Sequence, residues 1–307
     1  MIQTDITTYL NIGNTPISRL PKDDNGNQII LKLEYFNQFG HSAKARNAAA
    51  MVVDFERQYG TLKGRTIVES SSGNTVLALC ELGNHLGFHV HAIVDSSISE
   101  TKLQHLHEIG AIVDVLDPPK GYDSREYRIE KVKELARYEG EIWMNQYENM
   151  ACVNAHKSTG TEILEQIGTD IDYVVGAIGT GSTICGISSV IKTAVPNAKI
   201  IAVEPSGSCI FGDETTPKKS YLNFGAGNTR SFFWEINKKS IDSHYSVEDI
   251  DTKETARDFY NKNRIPIGLS AAMSYYIIKK IALEVYNKTF VLVVADNLSN
   301  YYDLKAI

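Results

Sequence analysis

Residues 29–53 read IILKLEYFNQFGHSAKARNAAAMVV and contain the strand, loop and helix that recur along the rest of the chain. The apolar run 29–34 is typical of a buried strand, and the alanine-rich run that begins at Lys44 has the propensity of a helix. Lys44 therefore lies at or near a helix N-terminus, where the helix dipole disfavours an ammonium and eases its deprotonation. A deprotonated lysine can form a Schiff base with an aldehyde. Taken alone, however, an exposed lysine with no special role is the commoner interpretation.

The composition is that of an ordinary globular protein and argues against several classes of function. The chain has 307 residues, of which 43% are hydrophobic and 22% charged, and its formal net charge is −6. The acidic balance argues against a nucleic-acid partner, and no apolar run is long enough to span a bilayer. The first residues lack the basic and apolar regions of a signal peptide, so we expect a cytoplasmic protein. Cys80, Cys152, Cys185 and Cys209 are too widely spaced to indicate a zinc site or a disulfide framework, and we expect no metal.

Strand-like runs alternate with helical patterns along the whole chain, as is typical of parallel sheets with crossover helices. We predict an α/β fold with two mainly parallel twisted sheets flanked by helices, one sheet in each half. Strands are predicted at 29–34, 66–69, 90–94, 112–116, within 142–150, and at 173–177, 199–204 and 289–295. Helices are predicted within 8–20, at 44–59, 76–80, 101–109, 124–138 and 155–167, after 183, and at 252–263 and 270–284. Residues 206–245 are rich in loops and give no clear pattern.

Residues 179–183, Gly-Thr-Gly-Ser-Thr, follow an apolar strand and begin a helix. Their glycines allow backbone N–H groups to converge, and the hydroxyls of Thr180, Ser182 and Thr183 add donors. Because a helix N-terminus also favours an anion, this loop is a candidate phosphate site. It is not a Walker A loop, which needs a following Gly-Lys-Ser/Thr, and it lacks the glycine spacing of the dinucleotide fingerprint.

A second strand-to-helix loop, Ser71-Ser72-Gly73-Asn74-Thr75, is suited to a carboxylate. Its hydroxyls and N–H groups are donors, and the Asn74 amide could hold an oxygen anion. One N-cap serine or threonine would be the ordinary alternative, but five consecutive small polar residues exceed what capping needs. A third loop contains Ser270, whose hydroxyl could cap the following helix or face a ring nitrogen. All three loops lie where open α/β sheets bind ligands, beyond the carboxyl ends of strands.

A phosphate loop, an amine nucleophile, an anion loop and a hydroxyl facing a ring nitrogen together describe a pyridoxal 5'-phosphate (PLP) site. The motifs that carry these groups also resemble the cysteine synthase / cystathionine β-synthase family, fold type II of the PLP enzymes. The matching stretches are Ile12 to Pro16 (family IGNTP), Lys32 to Asn37 (KLEYFN), Ser42 to Arg46 (SxKxR), Ser72 to Thr75 (SGNT), Gly179 to Thr183 (GTGGT) and Gly268 to Ser270 (GxS). The resemblance covers nearly the whole chain. It implies a tryptophan synthase β-like fold, with a large cofactor-binding domain at 1–38 plus 147–307 and a smaller mobile domain at 39–146.

The resemblance also implies a role for each matching position. Lys44 bonds the cofactor aldehyde and acts as the catalytic base, Asn74 contacts the phenolic oxygen of PLP, and Ser270 contacts its pyridine nitrogen. The phosphate is bound by Gly179, Thr180, Gly181, Ser182 and Thr183. The substrate carboxylate is bound by Ser71, Ser72, Gly73, Thr75 and Gln146.

Four departures from the family pattern leave the substrate open. Phe39-Gly40-His41 replaces the usual glycines before the lysine, and Ala45 replaces a frequent aspartate. Ser182 replaces a glycine of the phosphate loop, where it adds a donor, and Ala272 replaces a glycine after the ring-nitrogen serine. None of these changes removes a chemical role.

By resemblance, the chain performs β-elimination and β-replacement on an activated L-serine, O-phospho- or O-acetyl-L-serine, through an aminoacrylate. The family uses sulfide, homocysteine or, in the synthases of 2,3-diaminopropionate pathways, L-glutamate as the nucleophile. Glu69 to Asn74 (ESSSGN), Ser208 to Gly212 and Gly225 to Arg230 look most like the glutamate-using group, and Arg230 could bind an additional carboxylate or phosphate. An exposed arginine with no such role is an equal alternative. We favour an amine nucleophile over a cysteine synthase or a catalytically idle homologue, and expect small amino-acid substrates and a homodimer.

Overall fold

The computed structural model describes residues 10–71, 73–96, 98, 100–212, 221–223, 225–227, 230–299 and 301. By their internal contacts these residues form two compact units. The first contains residues 10–12 and Gln38–Cys152, and the second contains Gly13–Asn37 and the described residues from Val153 onward. Within the described ranges, no helix is both long and apolar enough to cross a lipid bilayer.

The elements alternate between strand and helix along most of the chain. The strands are β1 (Ile17–Arg19), β2 (Gln28–Leu33), β3 (Thr66–Ser70), β4 (His89–Val94), β5 (Ile112–Val115), β6 (Ile142–Trp143), β7 (Tyr173–Ala177), β8 (Lys199–Pro205), β9 (Ser243–Val247) and β10 (Thr289–Val294). The α-helices are α1 (Lys44–Tyr59), α2 (Asn74–Leu86), α3 (Glu100–Glu108), α4 (Ser124–Tyr138), α5 (Met150–Ile167), α6 (Ser182–Ala194), α7 (Phe232–Asn237), α8 (Asp249–Asn263) and α9 (Leu269–Ala282).

The first unit is built on a four-stranded parallel sheet in the order β5-β4-β3-β6. Val68 of β3 and Ile93 of β4 are fully buried and pack with Val132 and Leu135 of α4. Four consecutive residues of β3 and five of β4 are buried, as expected where helices cover a parallel sheet. Strand β3 runs directly into residues 71–75, so this loop lies at the carboxyl edge of the sheet.

The second unit is built on a six-stranded sheet in the order β1-β2-β10-β7-β8-β9. Only β1 runs antiparallel to its neighbour, and the other neighbouring strands are parallel. The core lies between this sheet and α9, where Phe290 and Leu292 of β10 pack in one cluster with Ala271 and Ile278. Strand β7 leads into residues 179–183, which again lie beyond the carboxyl end of a strand.

The prediction of an α/β fold with two mainly parallel sheets is confirmed. One sheet per half is wrong in one respect, because β1 and β2 pair with strands of the C-terminal half through β10. Helix α5 begins at Met150 rather than 155, and α2 and α8 also begin earlier than predicted. The unparsed region 206–245 contains α7 and the first residues of β9. Of the short helix predicted within 8–20, residues 10 and 11 form a turn, and residues 8 and 9 lie outside the described residues.

Candidate active site

Lys44 is the first residue of α1 and follows an unusual left-handed arch. Residues 39–41 all have positive φ angles, 61° at Phe39, 74° at Gly40 and 41° at His41, a region that residues other than glycine rarely adopt. The Gly40 N–H donates to Glu81 of α2 at 2.7 Å, and a Cβ at Gly40 would lie 2.8 Å from Ala78 Cβ. The arch is therefore fixed against α2, and it sets the direction in which the chain enters α1.

The predicted carboxylate loop is held by a side chain from far along the sequence. Thr75 Oγ1 donates to Gln146 Oε1 at 2.6 Å, and Gln146 Nε2 donates to the Ser70 carbonyl at 3.1 Å. The structure thus brings together two predicted carboxylate ligands that are 71 residues apart. Gly73 and Asn74 occupy the N-cap and first position of α2. Ser72 lies outside the described residues.

Glu69 supports this loop from beneath, and sequence reasoning assigned it no role. Its fully buried carboxyl accepts hydrogen bonds from the backbone N–H groups of Ser70 (3.0 Å) and Gln146 (3.2 Å). Trp143 Nε1 approaches the same carboxyl at 3.4 Å. Burial raises the pKa of Glu69 to about 7, and these hydrogen bonds act in the opposite direction. Glu69 thereby fixes both strand ends from which the loop and Gln146 project.

The two cysteines of the first unit have the surroundings of unreactive thiols. Cys80 and Cys152 are buried, and burial raises the pKa of each thiol to about 12. The positive charge of Lys44 lowers the pKa of Cys152, but by less than burial raises it. Since the thiolate is the reactive form, both thiols are inert at neutral pH.

The predicted phosphate loop in the second unit has the shape of an anion cradle. Gly181 adopts a left-handed φ of 91°, and a Cβ there would lie 2.7 Å from Ser231 Oγ. Ser231 donates to the Thr180 carbonyl at 2.7 Å, which fixes the loop from behind. Thr180 Oγ1 and Ser182 Oγ lie 3.2 Å apart at the start of α6. The loop therefore places hydroxyls and N–H groups at a helix N-terminus without a side chain at its tightest point.

Ser270 is the second residue of α9 and is almost fully buried. Its Oγ makes no hydrogen bond of normal geometry to any described residue. Burial, and then the charge of Asp296, raise the pKa of Tyr301. The nearby Ser270 hydroxyl acts in the opposite direction and lowers this pKa. Tyr301 commits its own proton to Asp296 at 2.9 Å. The Ser270 hydroxyl is thus a buried polar group beside Tyr301, without a hydrogen bond of normal geometry among the described residues.

Arg230 differs in setting from the other predicted ligands. Its side chain is 71% exposed and forms a forked pair with Glu235, Nε to Oε1 at 2.7 Å and Nη2 to Oε2 at 3.0 Å. The Arg230 hydrogen bond lowers the pKa of Glu235. A substrate anion at Arg230 would share the guanidinium with this carboxylate or replace it.

Comparison with known proteins agrees with the class of site that these groups define. The sequence model of a family described as pyridoxal-phosphate dependent enzymes matches residues 8–296, so the chain belongs to this family. Within it, the chain is of the cysteine synthase / cystathionine β-synthase kind, with the type II fold, PLP as cofactor and β-replacement as its class of reaction.

Three solved structures illustrate the similarity. Cysteine synthase from Entamoeba histolytica is 28% identical, with a TM-score of 0.86 over 100% of this chain and 91% of that one. The O-acetylserine-dependent cystathionine β-synthase from Helicobacter pylori is 25% identical, with a TM-score of 0.85 over 98% of each chain. O-ureido-L-serine synthase, at 23% identity, shares the fold with a TM-score of 0.88 over 100% of this chain and 96% of that one.

The described residues fit two ends of PLP. The loop 179–183 offers hydroxyl and N–H donors to a phosphate, around a left-handed Gly181 that has no room for a side chain. The buried Ser270 hydroxyl offers a hydrogen bond that suits a pyridine nitrogen. Both groups belong to the second unit, whereas Lys44 and Asn74, predicted for the aldehyde and phenolic oxygen, belong to the first.

Proposed function

We propose that the protein joins an amine nucleophile such as L-glutamate to the β-carbon of an activated L-serine, O-phospho- or O-acetyl-L-serine. The observation that carries this proposal is the hydrogen-bonded set of Ser70, Thr75 and Gln146. It ties Thr75, the last residue of the proposed carboxylate loop, to Gln146 and to the carbonyl at the end of β3. Ser71, Ser72, Gly73, Thr75 and Gln146 are the proposed carboxylate ligands.

When bound, PLP supplies an electron sink for the bond that breaks at the substrate α-carbon. The Lys44 amine then takes the α-proton and returns it after the new bond has formed, general base catalysis that contributes about 10²–10⁴-fold. Ser270 can donate a hydrogen bond to the ring nitrogen but, unlike a carboxylate, does not keep that nitrogen protonated. A ring nitrogen without its proton would make PLP a weaker electron sink. A weaker sink would favour loss of the β-substituent over racemisation or transamination.

The choice of an amine rests on the sequence of the carboxylate loop. Glu69 to Asn74 reads ESSSGN, with serines at 70 and 71 where sulfur-using relatives have EATSGN or EPTSGN. Arg230 is the proposed ligand for the additional carboxylate of glutamate. Arg230 is paired with Glu235 through Nε and Nη2, so in that role the substrate carboxylate would bind the other N–H groups of the guanidinium or take the place of Glu235.

A cysteine synthase, with sulfide as nucleophile, is the second candidate. It is favoured by the similarity to the Entamoeba histolytica cysteine synthase at 28% identity over the whole chain. The Helicobacter pylori relative, by its name, uses O-acetylserine and is also a sulfur-nucleophile synthase.

A homodimer and the division into domains 1–38 plus 147–307 and 39–146 stay predictions.

The nucleophile can be identified directly from the product mass. The purified enzyme is incubated with PLP and O-phosphoserine or O-acetylserine, and glutamate and sulfide are offered separately and together. We expect the glutamate adduct as the main product, and at least tenfold less product from Lys44→Ala, because general base catalysis alone is worth about 10²-fold or more. The exposed control Lys63→Ala should retain activity. Cysteine as the main product from the mixture would replace this proposal with the second candidate.

A further inference from the structure

The helices α5 and α6 of the second unit cross in unusually close contact behind the predicted phosphate loop. A Cβ at Gly186 of α6 would lie 2.6 Å from His156 Cβ, and one at Gly160 of α5 would lie 2.9 Å from Val190 Cβ. The two glycines therefore permit an approach that any side chain would prevent. This approach places the fully buried His156 against the first turn of α6.

Both ring nitrogens of His156 meet hydroxyl groups. Nδ1 lies 3.1 Å from Oγ1 of Thr159, one turn further along α5. Nε2 lies 3.0 Å from Oγ1 of Thr183, the last residue of the predicted phosphate loop. His156 thus connects Thr159 of α5 to Thr183 in the first turn of α6.

The position of the ring proton decides what Thr183 can do. If Nδ1 alone carries the proton, Nε2 must accept the Thr183 hydroxyl hydrogen, and that hydrogen is withheld from an anion. If Nε2 carries it, Nε2–H donates to Thr183 and leaves the Thr183 hydrogen available to an anion. The Thr159 hydroxyl then donates to Nδ1, and the hydrogen bonds point in one direction and reinforce each other. A doubly protonated ring would also donate to Thr183.

We propose that His156 is a positioning residue for the cofactor phosphate. Its Nε2–H donates to Thr183, so that the Thr183 hydroxyl is presented as a donor to a phosphate bound at residues 179–183. This inference rests on the proposed role of that loop. It is independent of which nucleophile the enzyme uses.

Two substitutions separate this role from simple filling of the helix crossing. The amide nitrogen of glutamine can occupy the place of Nε2, whereas that of asparagine reaches only the place of Nδ1. His156→Gln should therefore keep the donor to Thr183, and His156→Asn should lose it. Thr183→Val removes the donor to the phosphate itself, and Thr161→Val, exposed on the same helix, is the control.

The measurement is the PLP dissociation constant of each apoenzyme, obtained by absorbance or fluorescence titration. Thr183→Val should weaken PLP binding by about tenfold or more, as expected for a hydrogen bond to a charged group. His156→Asn removes only the neutral bond that orients Thr183 and should weaken PLP binding by about five- to tenfold. His156→Gln and Thr161→Val should stay within about threefold of the wild type on the same scale. Equal weakening by the Gln and Asn variants, or wild-type binding by His156→Asn, would overturn the inference.

A spectroscopic measurement on the unmodified holoenzyme covers the case in which a variant does not fold. Nitrogen-15 NMR of the histidine rings should show a proton on Nε2 of His156 when PLP is bound. A proton on Nδ1 alone overturns the proposal. If Thr183→Val and Ser182→Ala both bind PLP as tightly as the wild type, the phosphate loop itself is misassigned, and this inference is wrong with it. If these two variants bind PLP weakly but the His156 variants bind it normally, only the role of His156 is overturned.

Discussion

Glu69 illustrates how a single buried group can support a site without touching its ligand. Its carboxyl fixes the backbone N–H groups of Ser70 and Gln146, one on each side of the proposed carboxylate loop. Burial nevertheless disfavours the ionised form, which is why the pKa of Glu69 is raised from its ordinary value of 4.5 to about 7. The same residue that orders the loop therefore makes the stability of the first unit depend on pH.

The sign of this pH dependence follows from the direction of the shift. Because the folded-state pKa is above the unfolded value, the folded state holds the Glu69 proton more tightly. The free energy of unfolding should therefore fall as the pH rises from about 4.5 to about 7, by about 3 kcal/mol from this group, and stay reduced above that. In urea unfolding at several pH values, the unfolding free energy of the wild type minus that of Glu69→Gln should fall by about 3 kcal/mol across this window, because only the wild type titrates there. The exposed Glu148→Gln is the control, and a wild-type-minus-Gln difference that is flat from pH 4.5 to 8 would contradict the prediction.

A buried ion pair connects two elements of the second unit. Lys32 of β2 is fully buried, and its Nζ lies 2.6 Å from Oε2 of Glu162 on α5. The ammonium also donates to the Thr15 carbonyl at 2.7 Å and to Gln166 at 3.1 Å. The carboxylate of Glu162 and two neutral oxygen acceptors thus compensate the charge of Lys32. Because Glu162 and Gln166 both lie on α5, these contacts fix the position of β2 along that helix.

Breaking this pair on one side should cost far more than removing it. Lys32→Met leaves the Glu162 carboxylate buried without its partner charge, and we expect a loss of about 3–5 kcal/mol in unfolding free energy. The double variant Lys32→Met, Glu162→Leu should recover most of that loss. On α4, Lys131→Met breaks the more exposed pair with Glu134 and should cost at most about 1 kcal/mol. Single variants at 32 and 162 that each cost as little as Lys131→Met in urea unfolding would show that the buried pair contributes nothing special.

Elements with strong local signals could be predicted from the sequence, and elements defined by their surroundings could not. The sequence predicts α1 from near Lys44 to about Tyr59, because an alanine-rich run begins there and Gly60 follows, and in the structure Gly60 has a φ of 87° and ends the helix. Strand β9 was missed, because four of its five residues are exposed and carry no apolar alternation. It exists because β8 offers an edge to pair with, which is a tertiary effect.

The same distinction applies to the candidate site. Lys44, Thr75 and Gln146 lie in recognisable motifs, but the hydrogen bond between Thr75 and Gln146 depends on the pairing of β3 with β6. His156 gave no signal, because one of its partners belongs to another helix 27 residues later and a lone histidine in a helix has no pattern. The Arg230–Glu235 pair lies in a stretch whose local pattern could not be parsed.

At the scale of the whole molecule, cofactor binding should add to the stability of the folded chain. Lys44 and Asn74 belong to the first unit, and residues 179–183 and Ser270 belong to the second. A ligand that binds the folded chain and not the unfolded one stabilises it by mass action, whatever the details of its contacts. Removal of PLP should therefore lower the thermal stability of the protein.

The size of this effect can be stated in advance and checked by calorimetry. PLP at 100 times its dissociation constant should add about 2.7 kcal/mol, which corresponds to a rise of about 5–10 °C in Tm for units of this size. Pyridoxal, which lacks the phosphate, should give a much smaller rise because it cannot use residues 179–183. Ser182→Ala should reduce the PLP effect, and Ser189→Ala on the same helix, whose hydroxyl donates to the Gly186 carbonyl at 2.8 Å, should not. Equal stabilisation by pyridoxal and PLP would contradict the assignment of residues 179–183 as the phosphate site. A Tm that does not change with PLP concentration would contradict the predicted stabilisation itself.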